Sequence, residues 1–223
     1  MKKYFLSIDQ GTTSSRIVLY NTNFSIFDSI QKEFKQYFPK SGWVEHDAEE
    51  IWYDVKFLIN KILKKNKIYA PQIISIGIAN QRETTVLWNK KNGKPIHKAI
   101  VWQDRRTTEI CKKLKQKKLD KKIKNITGLL IDPYFSATKI KWILENNKKS
   151  KKLLLEDNLL FGTIDTWLLW NLTNKESHLT DITNASRTML YNIKDEKWSD
   201  YLLKTLNIPS SIMPKVTPNT YEF

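Results

Sequence analysis

With 223 residues, 40% hydrophobic and 12% aromatic, the chain can bury a large core, and no apolar run is long enough for a membrane span or a signal-peptide core, which points to the cytoplasm. Its one cysteine, Cys111, excludes an internal disulfide framework and reads as a helix-face residue, not a metal ligand or nucleophile. The formal charge of +15 rests on Lys runs at 112–124 and 147–152 that lack aromatic interleaving and Arg forks, so neither nucleic acid nor a membrane is expected as a partner.

The first predicted elements are two short strands, Tyr4–Ile8 and Ile17–Tyr20, with Asp9-Gln-Gly-Thr-Thr-Ser-Ser-Arg16 as the polar tip between them. An acid, a glycine, four consecutive hydroxyl residues and an arginine in one turn suit phosphate chemistry. Gly11 allows close backbone approach, and Thr12, Thr13 and Ser14 offer hydroxyls beside their amides. Arg16 can pair with phosphate oxygens, and Asp9 can hold Mg²⁺ through water. The same residues also suit a plain polar turn. The sequence contains neither a Gly-x-x-x-x-Gly-Lys-Ser/Thr run nor a Gly-x-Gly-x-x-Gly run, so a bound nucleotide would be held by a hairpin clamp.

A third strand is expected over Ser25–Phe34, then a turn from Pro39 to Asp47. Asp47 and Glu50 have capping-box spacing, and Ile51, Val55, Leu58 and Ile62 recur on one face with Trp52, Ile59 and Leu63 beside them, which predicts a helix covering a sheet. Ile73–Ala79 is a continuous apolar run and reads as a strand buried on both faces. It ends in Asn80-Gln-Arg-Glu-Thr84, and ligands gather where the strands of α/β sheets end. A hairpin at Asn92-Gly93, a strand over Ala99–Trp102 and a basic helix after Arg106 come next. Further helices are expected at 136–146 and 163–171, before an extended ending punctuated by Pro209, Pro214 and Pro218. The alternation is that of an α/β protein, with no internal repeat and no clear second domain.

Asp9-Gln-Gly-Thr-Thr-Ser-Ser-Arg16, Gly42-Trp-Val-Glu-His-Asp47, Asn80-Gln-Arg-Glu-Thr-Thr85, Tyr134-Phe-Ser-Ala-Thr-Lys139, Thr163-Ile-Asp-Thr-Trp167 and Thr183-Asn-Ala-Ser-Arg-Thr188 together resemble the glycerol kinase branch of the FGGY carbohydrate kinases. The resemblance runs nearly end to end. It implies a ribonuclease H-like (actin-like ATPase) domain, a mixed sheet flanked by helices. It further implies that residues 1–223 are the N-terminal domain alone, with the catalytic base and the adenosine pocket in a C-terminal domain absent from this chain.

By the same resemblance Arg82 and Glu83 bind glycerol hydroxyls, Trp102 packs on the polyol carbons, and Tyr134 presents its hydroxyl. Thr12, Thr13, Ser14 and Arg16 hold nucleotide phosphates, and Asp9 orients Mg²⁺. Trp43, Glu45 and His46 are expected to be structural, Asp165 to cap the helix it opens, and Asp181 to scaffold a loop. The implied reaction is ATP-dependent phosphorylation of glycerol to sn-glycerol 3-phosphate, with ATP and Mg²⁺ as cofactors. A separately encoded C-terminal half, or a second copy of the chain, would be its protein partner. A polyol-binding or regulatory module without transferase activity, a kinase of a related polyol or sugar, and a basic interaction protein are the alternatives.

Overall fold

The computed structural model describes residues 2–220. The chain divides into two compact units, Met1–Gln36 with Asp47–Gln81, and Tyr37–His46 with Arg82–Phe223.

In the first unit, strands β1 (Tyr4–Gln10), β2 (Ser14–Asn21) and β3 (Ile26–Glu33) are followed by helix α1 (Ala48–Lys65) and strand β4 (Ile73–Asn80). The sheet order is β3-β2-β1-β4, antiparallel except for the parallel β1–β4 pair. The α1 crossover allows that parallel pairing, which no tight turn could join. Side chains of β1 alternate, so that Tyr4, Leu6, Ile8 and Gln10 are buried. Helix α1 starts where Asp47 accepts hydrogen bonds from the amides of Glu49 and Glu50, and it buries Ile51, Val55, Leu58 and Ile62. Each of those side chains contributes about 1.5–3 kcal/mol of burial.

Two expectations change here. The polar tip shrinks to Gly11–Thr13, because β1 and β2 extend through Gln10 and from Ser14. The β4 run is not buried on both faces. It lies at the edge of the sheet while α1 packs on β2 and β3, which leaves Ile74 51% and Ile76 46% exposed. An apolar run alone does not distinguish an edge strand from a central one.

The second unit contains β5 (Val86–Asn89), α2 (Thr108–Gln116), α3 (Asp120–Thr127), α4 (Ser136–Asn146), α5 (Lys148–Leu155), β6 (Leu159–Gly162), α6 (Ile164–Leu172), β7 (Leu179–Asp181), α7 (Ile182–Ala185), α8 (Asp200–Leu206) and β8 (Lys215–Thr217). Strands β5 and β6 pair antiparallel, and β7 and β8 pair parallel. The strand expected over Ala99–Trp102 is only Ala99–Ile100, paired with Glu45–His46. Helix α8 precedes Pro209 and was not expected, while the proline-punctuated ending after it carries the short strand β8. The core gathers Leu87, Ile100, Ile140, Phe161, Met189 and Leu203. The Lys runs fall on α2, α3 and α5, whose other faces bury Cys111, Leu114, Ile123 and Leu153. They are the solvated faces of ordinary amphipathic helices.

Candidate functional site

In the first unit, the β1–β2 register places Asp9 opposite Arg16 and Gln10 opposite Ser15. Arg16 donates from Nη2 to Asp9 Oδ2 at 2.7 Å, with the two side chains 50% and 42% exposed. The turn closes through the Gly11 amide, which donates to the Ser14 carbonyl at 2.9 Å. Thr12 and Ser14 are half-buried and Thr13 is exposed, and Ser14 Oγ accepts from Gln31 at 3.0 Å. The tip thus presents hydroxyls beside one acid and one base at an accessible rim. One carboxylate among hydroxyls fits magnesium, which keeps several waters and takes its other oxygens from phosphate. Among the described residues, no group of three or more His, Cys, Asp or Glu forms a metal cage.

Beneath the tip lies a buried amide pair absent from the sequence-based expectations. Gln10 is fully buried and Gln81 nearly so. Gln81 donates from its amide to the Gln10 carbonyl at 2.7 Å, and from Nε2 to Gln10 Oε1 and the Gly11 carbonyl, both at 3.1 Å. The polar tip and the end of β4 are therefore tied together. A buried Gln with several partners is held in one orientation.

In the second unit, Glu83 is buried at 2% exposure while Arg82 is exposed. The Thr84 amide donates to the Arg82 carbonyl at 2.8 Å, and Glu83 has φ +64°. This is a γ-turn whose central residue sits in the left-handed region, a strained conformation for a non-glycine residue. Surrounding bonds hold it. Ser136 Oγ donates to the Glu83 carbonyl at 2.9 Å, Thr85 Oγ1 donates to it at 3.2 Å, and Arg187 Nε donates to Glu83 Oε1 at 2.6 Å.

The two expected aromatics lie together, with the rings of Trp102 and Tyr134 5.3 Å apart and tilted by 54°. The Trp102 amide donates to Thr84 Oγ1 at 3.3 Å, and the Tyr134 amide donates to Asp132 Oδ1 at 2.8 Å. Arg187 lies 5.6 Å from the Tyr134 ring. Tyr134, Phe135, Arg187 and Asp132 line an open recess of about 560 Å³. Lys139, fully buried at the start of α4, donates to the carbonyls of Pro133 and Tyr134 and fixes the backbone beneath the ring. Burial pushes its ammonium down to about 7.

The arrangement joins acceptor, donors and aromatic faces, which suits a ligand with both C–H and O–H surface. Trp102 and Tyr134 lie together, Arg187 links Glu83 to the Tyr134 ring, and exposed Arg82 stands beside Glu83 in the chain. Arg187 and Lys139 were not expected to take part. Both lie in quoted motifs, and an unexplained basic residue there was the available signal.

The remaining residues have structural partners. Arg106 is buried against the rings of Trp43 and Trp142, 3.8 and 4.8 Å from its guanidinium, and donates to Glu45 and Asp104, each at 2.8 Å. His46 is fully buried, and desolvation holds its imidazole down to about 4. Asp165 does not cap α6, since Thr163 occupies the N-cap. Instead it accepts from the hydroxyls of Thr163 and Thr180, at 2.5 and 2.6 Å, and ties α6 to β7. Asp181 is the residue that caps, accepting from the Asn184 amide at the start of α7. Cys111 is buried, and desolvation pushes its thiol up to about 11, which removes its nucleophilic form at neutral pH.

The N-terminal-domain profile of the FGGY family of carbohydrate kinases matches residues 4–222. The chain belongs to this family. The glycerol kinase of Petrotoga mobilis is 56% identical to this FGGY domain over 220 residues, 99% of this chain and 44% of that protein. The glycerol kinase of Staphylococcus haemolyticus is 55% identical over 216 residues, 97% of this chain and 43% of that protein. The chain therefore spans less than half the length of these curated relatives. The crystal structure of Plasmodium falciparum glycerol kinase with ADP superposes with a TM-score of 0.91 at 37% identity, over 96% of this chain and 43% of that one. A gluconate kinase of Lactobacillus acidophilus superposes with a TM-score of 0.85 at 25% identity, over 97% of this chain and 42% of that one. The fold is that of the FGGY kinases, the actin-like ATPase fold. Among the described residues, no helix is long and apolar enough to cross a membrane.

Proposed function

We propose that this chain is the N-terminal half of a glycerol kinase, which binds glycerol and, with a C-terminal half, transfers phosphate from ATP to it. The observation that carries this reading is the buried Glu83 carboxylate, set at a strained turn in the same compact unit as the Trp102–Tyr134 pair. The 56% identity to the Petrotoga mobilis glycerol kinase supports glycerol over other substrates of the family.

In this reading Glu83 accepts from a glycerol hydroxyl, Arg82 donates to another, and Tyr134 and Trp102 pack on the carbon chain. Holding the alcohol this way removes rotational and translational freedom before reaction, which supplies much of the rate enhancement in phosphoryl transfer. The hydroxyls of Thr12, Thr13 and Ser14, with Arg16, would hold phosphate oxygens, and Asp9 would hold Mg²⁺. ATP with its metal supplies the phosphoryl group and neutralises charge as that group moves. The base that takes the alcohol proton belongs to the C-terminal half.

The test mixes the purified chain with the C-terminal part of Petrotoga mobilis glycerol kinase and measures ATP-dependent glycerol 3-phosphate, with Asp9→Ala in parallel to expose contaminating host kinase. Product that depends on both parts and on Asp9 supports the proposal. Glycerol binding by calorimetry without product in the mixture would favour a polyol-binding module, a reading that draws on the confinement of all four polyol-side residues to one compact unit. Faster turnover of another polyol or sugar would reassign the substrate.

A further inference from the structure

The Thr183–Thr188 segment has no role in the reading above, yet it makes the most direct side-chain contact with Glu83. We infer that Arg187 is a positioning residue of the polyol site, locking the Glu83 carboxylate in its acceptor orientation and steadying the Tyr134 ring. This inference rests on the proposal that Glu83 and Tyr134 hold the polyol.

The Glu83 side chain is 3% exposed and that of Arg187 is 28% exposed. A carboxylate buried this deeply needs a charged or multiply bonded partner. Arg187 Nε supplies it at 2.6 Å, across a sequence separation of 104 residues. The same guanidinium lies 5.6 Å from the Tyr134 ring and 5.0 Å from the Phe135 ring, and those two rings meet edge to face at 5.3 Å. One planar cation thus bonds an acid through Nε and lies over an aromatic pair. Lysine, a point charge on a flexible stem, cannot make both contacts.

Arg187 is itself held from both sides. Its amide donates to the Asn184 carbonyl at 3.1 Å, continuing the turn that Asp181 caps. The next residue, Thr188, accepts at its carbonyl from the Ala137 amide at 2.8 Å, which ties the segment to the start of α4 just beyond Tyr134 and Phe135. Position 187 is therefore referenced to the backbone that carries Tyr134. The strained γ-turn gives this a purpose, because a residue in the left-handed region relaxes unless its surroundings over-determine it. Ser136 and Thr85 hold the Glu83 carbonyl, and Arg187 holds the carboxylate at the other end of the residue.

The experiment uses the full chain as wild type, Arg187→Met, Arg187→Lys, Glu83→Gln and the Glu83→Gln/Arg187→Met double variant. Glycerol affinity is read by calorimetry, and amide hydrogen exchange at residues 83–85 is read without glycerol. Arg187→Met is expected to weaken glycerol binding about 10- to 100-fold, as truncating one partner of a buried charge pair does. Arg187→Lys is expected to recover only part of that loss. Because Arg187 acts through Glu83, the double variant is expected to bind within about twofold of Glu83→Gln alone, the signature of coupled residues. Exchange at 83–85 is expected to quicken about tenfold in Arg187→Met, while α6 stays protected. Unchanged glycerol affinity in Arg187→Met, or a loss that adds in full to that of Glu83→Gln, would overturn the inference. If the wild-type chain binds no glycerol, the polyol reading fails separately, and exchange decides the role of Arg187. Protection at 83–85 equal to wild type would then reject it.

Discussion

Gln81 Nε2 donates to both Gln10 Oε1 and the Gly11 carbonyl at 3.1 Å, joining the residue before Arg82 to the turn that would meet phosphate. Gln10 is fully buried, so removing its partner strands a polar group. Gln81→Leu is expected to cost about 1–3 kcal/mol, the penalty for unsatisfied buried amides. Urea unfolding reads this as a lower midpoint with an unchanged slope, and an unchanged midpoint would contradict the bracing role.

The Asp9–Arg16 pair should separate stability from chemistry. Both side chains are roughly half exposed, and such pairs contribute about 0–1 kcal/mol. Asp9→Ala is therefore expected to move unfolding free energy by less than about 1 kcal/mol. In the reconstituted phosphotransfer assay the same change is expected to lower turnover about 100-fold or more, the scale of losing an electrostatic contact made in the transition state. A large stability loss with retained turnover would reverse the assignment.

Acid stability follows from two desolvated histidines, His46 fully buried and His178 partly so. Desolvation holds His46 and His178 down to about 4, against 6.5 when unfolded. Between those values the unfolded chain binds protons that the native chain refuses, so their contribution is complete above pH 6.5 and is lost as the pH falls toward 4. Asp165 has the opposite sign. Burial raises its carboxyl to about 6 from 3.8, so its contribution is present below 3.8 and is lost as the pH rises through 6. Melting temperature across pH 4–8 is expected to fall on the acid side in wild type and to fall less in His178→Gln, which keeps a donor for the Phe161 carbonyl that His178 Nε2 meets at 2.8 Å. Asp165→Asn is expected to steepen the acid-side fall.

Gly162 ends β6 where a side chain has no room. A Cβ there would lie 2.5 Å from Thr166 Cβ and 2.9 Å from the Trp88 ring. Trp88 is fully buried and packs edge-on against Trp167 at 5.3 Å. Gly162→Ala is expected to destabilise by about 1–3 kcal/mol through overpacking. Thermal denaturation checks it, and a neutral result would mean that the β5–β6–α6 contact is looser than described.

Local features were legible because their causes are local. The 3.6-residue spacing of Ile51, Val55, Leu58 and Ile62 marks the buried face of α1, and Asp47 before it marks the cap. Six separated segments were enough to place the chain among the FGGY kinases. Tertiary structure decided what their residues touch. An apolar run carries no record of how many neighbours its strand has, so the exposed edge at β4 was invisible. Asp165 opens α6 yet answers to Thr180, on a strand outside that helix. The Arg187–Glu83 bond spans 104 residues, and no periodicity encodes a contact whose two ends meet only after the intervening helices have packed.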